Sequence, residues 1–448
     1  MTGGPGGLSS KHGPALDLPG RFMALAMLML AVVAVVSPWA YRWLIDGFYA
    51  PQLLAFVHLN TLGVIAAVLM GASYQLVPVV LQTPIASVRL GRLSFWFYLA
   101  GIVLFLPGLL EHWRPGIAAG AALVFSALLV YLGIVALTLH RAPSSDVVSW
   151  HIAVSLVGLA GGIGAGFLLA LNKGAGFLES ATFRVLAAHA TLMLAGWVII
   201  MLNGVAYRLV GMFTLSEDRL WRPVAWAELA CSASGAWLLA TGLLLNAPRW
   251  LLAAGALTIV GGQALFGAQL IHLYRVRRRR GFDIHIQFAL AAITCGLLCS
   301  GLLAGGLLTH RSIDSPVWIA VGWLAISGVA ITAIQGFFYK IATFLIWLHR
   351  YAPIAGRSRV PRLEDLYDRR IAKTGWAFWV SGLASSLVAI LISNRSLATA
   401  AGVVALAGLG CFLANAGRIA AHARPGTAGS EFSARIRFSG TGKEGQVS

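Results

Sequence analysis

Two histidines, His58 and His189, stand inside stretches otherwise apolar enough for lipid: "FVHLNTLGVIAAVLMGASYQLVPVV" (56–80) and "HATLMLAGWVIIMLNGVAYRLVGMF" (189–213). Polar groups held at membrane depth are costly, and as a rule they are paired or functional. An imidazole there has two chemical uses, ligation of a metal such as haem iron or a hydrogen bond across helices. The alternative for each is a ring near the interface bonded to a carbonyl, a water or a hydroxyl. Glu228 is the one carboxylate within an apolar span, near the level of Arg208 and Lys340. An ion pair with those cations is the favoured expectation, and a proton-relay carboxylate is the sharper one. Cys295 and Cys299, at i and i+4 in "CGLLC", read as small packing residues rather than metal ligands. His151 and His285 fall at helix starts, where an amphipathic ring serves as an interface anchor.

The elements that must position these groups are membrane helices. Hydrophobic residues make up 58% of the 448 and charged residues 11%. At about 20 apolar residues per span, the chain divides into twelve stretches, the first at 22–44 and the last at 398–418. The expectation is an all-α polytopic membrane protein, a single bundle over 21–422 between disordered tails at 1–20 and 423–448. The net charge of +18 does not point to nucleic acid. With the N-terminus inside, cytoplasmic segments hold 24 of the 33 Lys and Arg, external ones 7, and Arg208 and Lys340 lie in helix ends. That bias places both termini in the cytoplasm, as in a bacterial-type inner membrane, and makes "RVRRRR" (275–280) a topogenic loop facing anionic lipid.

The chain also repeats itself. Gly63, Gly71 and Tyr74 match Gly196, Gly204 and Tyr207 at an offset of 133, then Gly328, Gly336 and Tyr339 at a further 132. The shared pattern is G-x7-G-x2-Y followed by Gln75, Arg208 or Lys340. Three units of four helices result, at about 21–140, 148–275 and 284–420. The glycines form small-residue ridges for close helix packing, and the tyrosines are expected to anchor at the cytoplasmic interface. In this register His189 aligns with Phe56, and His58 with Thr191. Two residues amount to about 200° around a helix, so the two imidazoles need not face one site.

Three arcs of four helices, with "VHLNTLGVIAAVLMGASYQLVP" (57–78) in the second, resemble the catalytic subunit I of the haem-copper oxidase superfamily. The resemblance is greater to its divergent subunit-I-like members and runs from Arg21 to His422. It implies that His58 matches a ligand of the low-spin haem. The family's helix-ten pair of histidines falls on Val321 and Trp323, so the second ligand is missing. Of the copper site only His189 has a match, and copper is not expected. The implied function is a haem-associated membrane protein, accessory to respiratory or nitrogen-oxide electron transfer beside other redox subunits, and not a dioxygen-reducing oxidase. The alternative is a cofactor-free structural or assembly subunit. A transporter is disfavoured, because transporters are commonly built from two halves or inverted repeats rather than three direct units.

Overall fold

The computed structural model describes residues 16–278, 283–312 and 314–423. Among them are twelve helices long and apolar enough to cross a membrane. They are α1 (Asp17–Ala40), α2 (Pro51–Val80), α3 (Val88–Leu110), α4 (Arg114–His140), α5 (Val147–Ala175), α6 (Glu179–Thr214), α7 (Arg222–Leu244), α8 (Arg249–Arg275), α9 (Ile284–Leu308), α10 (Pro316–Arg350), α11 (Arg369–Leu391) and α12 (Arg395–Ala421). The protein is an all-α polytopic membrane protein. Leu28, Val35 and Val103, each about 60% exposed, point out of the bundle, as lipid-facing side chains do where the solvent is hydrocarbon.

Helix boundaries follow local chemistry. Asp146 and Ser149 form a capping box at the head of α5. The Asp368 carboxylate accepts from the amides of Arg370 and Ile371 at the head of α11, and the Asn394 side chain accepts from Leu397 N–H at the head of α12. Helix α1 starts at Asp17, five residues before the expected limit. Leu18 is fully buried and Asp17 bridges Arg92 at 2.9 Å, so the end of the supposed tail is held in the fold. The rest of that tail, the C-terminal tail from 424, and Arg279 and Arg280 of the basic run lie outside the described residues.

Helices α2, α6 and α10 each contain an eight-residue π-helical segment, at Leu59–Ala66, Leu192–Ile199 and Leu324–Ile331. Their starts are separated by 133 and then 132 residues, the offsets that relate the sequence motifs. Widening from i→i+4 to i→i+5 bonding is uncommon and frequent at functional sites. Side chains take up several nearby carbonyls: Asn60 donates to Phe56 O, Thr332 to Ser327 O, and Tyr98 of α3 to Leu62 O, at 2.7–2.8 Å.

The repeated glycines pack the second helix of each unit on the first. A Cβ at Gly71 would lie 2.9 Å from Phe22 Cβ of α1, at Gly204 2.4 Å from His151 Cβ of α5, and at Gly336 2.5 Å from Phe288 Cβ of α9. Gly63 and Gly328 meet Met29 and Cys295 in the same way, and Gly196 lies against Gly158. Gly204→Ala is therefore expected to overpack the α5–α6 contact and destabilise the protein by about 1–3 kcal/mol, read as a lower unfolding midpoint in detergent.

Candidate functional site

His58 ends the regular α-helical start of α2, immediately before the π segment. His189 lies three residues before the π segment of α6. Their ring centroids are 6.5 Å apart and their planes 16° from parallel. The two imidazoles thus meet at one site, a point that helical phase left open. Each ring is oriented from behind: His58 Nδ1 bonds Leu54 O and His189 Nδ1 bonds Gly162 O of α5, both at 2.8 Å. A bond to a carbonyl fixes the proton on Nδ1 in a neutral ring and leaves Nε2 as the lone-pair nitrogen. Neither Nε2 has a hydrogen-bond partner among the described residues.

Helix α5 reaches His189 because it is thin at that point. A Cβ on Gly166 would lie 2.7 Å from His189 Cε1 and 2.9 Å from Nδ1. Gly166→Ala is expected to push the ring off its Gly162 bond, weakening any ligand held by Nε2 by about 10–100-fold while leaving the fold intact. Titration of the purified variant with that ligand measures this. On the other side, Phe105 of α3 meets the His58 ring edge-on, centroids 5.2 Å apart.

The pair opens into an intramembrane cavity of about 650 Å³, within the range of about 300–1,000 Å³ usual for cofactor sites. Its walls are mainly apolar, with Ile65, Phe125, Phe167, Trp197, Leu239 and Ile259 from six helices. Phe125 and Phe167 stack at 4.8 Å. No aspartate or glutamate lines it, but Lys173, Arg184, Arg249 and Arg311 do, all from the end of the bundle nearer His58 and His189.

A related contact closes the gap between α2 and α10. There Phe56 and Trp323 lie 5.9 Å apart with planes at 28°. Phe56 is the register counterpart of His189, and Trp323 that of His58. So the same two positions, taken from neighbouring units, face each other in both places. In one case they carry imidazoles; in the other they carry two large rings, with Trp323 Nε1–H donating to Ser386 Oγ at 2.9 Å.

Glu228 is found elsewhere, near the opposite membrane face, and its partners differ from those expected. Arg208 carries no ion pair among the described residues, and Lys340 bridges Asp283 at the head of α9 instead. Glu228 is fully buried and its carboxyl group meets four side chains: it accepts from Tyr207 OH at 3.0 Å, Asn203 Nδ2 at 2.9 Å and Ser232 Oγ at 2.8 Å, and its Oε2 shares a hydrogen bond with His151 Nε2 at 2.7 Å. His151, expected at the interface, is inside, with Nδ1 on Val147 O. A histidine one helix away replaces the distant cations because its short side chain reaches the carboxylate without leaving the bundle. Tyr74, Tyr207 and Tyr339, expected as interface anchors, are likewise buried. Their hydroxyls have polar partners on neighbouring helices: Ser94, Glu228 and Asn415.

Cys299 Sγ contacts Val321 O at 3.3 Å, and Cys295 packs under Gly328. No cluster of three or more His, Cys, Asp or Glu forms among the described residues. The Gly162 carbonyl, Gly166 and the four cavity cations were not singled out in the sequence; "GGIGAG" at 161–166 carried a signal only for close packing. No protein-family model matches the chain, and no curated protein matches it.

Proposed function

We propose that this integral membrane protein binds one haem between His58 and His189 and serves electron transfer. The observation that carries the reading is the imidazole pair itself. A metal held at about 2 Å by each of two imidazole nitrogens needs two rings brought close together at one site. The observed separation is 6.5 Å. The residues present also fit the group in their chemistry, with neutral rings oriented by carbonyls, a largely apolar cavity and no competing carboxylate in its wall.

Held there by His58 and His189, haem would supply a one-electron iron couple, the chemistry of an electron carrier. The chain's own part is to fix both rings and exclude water with Phe105, Phe125 and Trp197. A place beside a respiratory or nitrogen-oxide enzyme is supported by the sequence resemblance, as is a threefold arrangement of the units. The coincident π segments support the second. The ligand pair itself departs from the superfamily, whose helix-ten histidines are replaced here by Val321 and Trp323.

The test is an optical spectrum of protein purified from haem-replete cells. A Soret band, a sharp reduced α-band and one pyridine haemochrome per chain are expected. A colourless protein that stays colourless on titration with haemin would remove the reading. It would favour the cofactor-free assembly subunit, for which the Phe56–Trp323 pair is the supporting observation: two apolar rings there close a gap without any ligand.

A further inference from the structure

The four cations at the cavity end are the feature least explained by ligation. Lys173, Arg184 and Arg249 come from the ends of α5, α6 and α8, Arg311 follows the end of α9, and none meets a carboxylate of the cavity wall. Arg184 is the most informative. Its Nε is buried with no hydrogen-bond partner, and it forms no ion pair among the described residues. A buried arginine nitrogen without a partner carries a desolvation cost that an anionic acceptor would offset. Lys173 is held over the Tyr49 ring at 3.7 Å, which positions its ammonium without neutralising it.

Arg184 precedes His189 by five residues, a rise of about 7.5 Å along α6. A molecule that touches both must therefore have an apolar body at the imidazoles and an anionic edge one to two turns away. We propose that this rim is a carboxylate clamp, selecting a planar apolar ligand with two carboxylates on one edge and setting which edge faces the membrane surface. The proposal rests on the haem reading for the identity of the ligand, but the clamp acts on the carboxylates and needs no iron.

That separation makes the test independent. The purified full chain in detergent is titrated with metal-free protoporphyrin, followed by its fluorescence, and in parallel with the dimethyl ester of the same ring. The clamp requires the ester to bind about 10–100-fold more weakly, the scale of one or two charge-assisted bonds. Arg184→Gln should remove most of that discrimination. Because Arg184 is partly buried, the exposed Arg249→Gln and Arg311→Gln variants serve as checks in chains whose folding is not in question. Equal binding of acid and ester, or binding of neither, overturns the proposal. So does displacement of both by phosphatidylglycerol but not phosphatidylcholine, which would assign the cations to a lipid headgroup. Haemin titrated into the same preparation reports on the histidines alone. A low-spin haem spectrum with no acid–ester difference would leave His58 and His189 as ligands and remove only the clamp.

Discussion

A His58→Ala variant is expected to lose the low-spin haem spectrum and to bind haem at least about 100-fold more weakly. The magnitude follows from ligand chemistry: removing even an outer-shell partner of a ligand costs about 10–100-fold, and under the proposed ligation this variant removes one of only two protein bonds to the metal. His189→Ala should do the same, and the double variant little more, since the first loss already breaks the pair. His349→Ala, at the exposed end of α10, should leave the spectrum unchanged. If either cavity variant retains wild-type colour and affinity, the two rings do not share a metal. Imidazole added to the His58→Ala protein should restore part of the low-spin signal, separating a lost ligand from a lost fold.

The second large effect is expected at the other face. Glu228→Leu leaves His151, Tyr207, Asn203 and Ser232 without their shared hydrogen-bond partner in a fully buried site. Breaking a buried hydrogen-bonded pair from one side costs about 3–5 kcal/mol. In denaturant titration of the detergent-solubilised protein that is a large fall in midpoint. Replacing both members, as in His151→Phe with Glu228→Leu, should recover part of the loss, because an apolar pair carries no desolvation cost. Glu228→Gln keeps an acceptor for Asn203 or Ser232 and should fall between. A Glu228→Leu protein as stable as wild type would mean that the network is not structural, and would favour a role in moving protons.

How these groups were readable in the sequence differs by element. The spans were legible, since 58% apolar composition interrupted by short charged loops permits little else. So were the motif offsets, and the π segments fall on them although nothing in an apolar helix announces a change from α to π bonding. His58 and His189 stood out as costly residues. Their meeting did not, because comparing their phases on superimposed helices treats both copies as seen from one direction. In the contacts between these helices, a position on one copy faces a different register position on another. The Phe56–Trp323 contact shows the same rule with other side chains. Glu228 was visible as an intramembrane carboxylate, but its partner was sought among the full charges Arg208 and Lys340. Reach decided instead: His151 of α5 is 2.7 Å away, while Lys340 is occupied by Asp283. The cavity cations were hidden for the opposite reason. Each sits at or just past a helix end, where a lone Lys or Arg reads as an ordinary interface residue, and only the tertiary fold places four of them around one opening.

The central claim is that His58 and His189 are two ligands of one iron. A cryo-electron microscopy map of the protein purified from haem-replete cells addresses it directly. The account predicts a flat density lying between the two rings, with its strongest peak midway between the Nε2 atoms and one edge toward Arg184. A map in which the imidazoles bond to water or to each other's helices, with acyl chains filling the cavity, would contradict it.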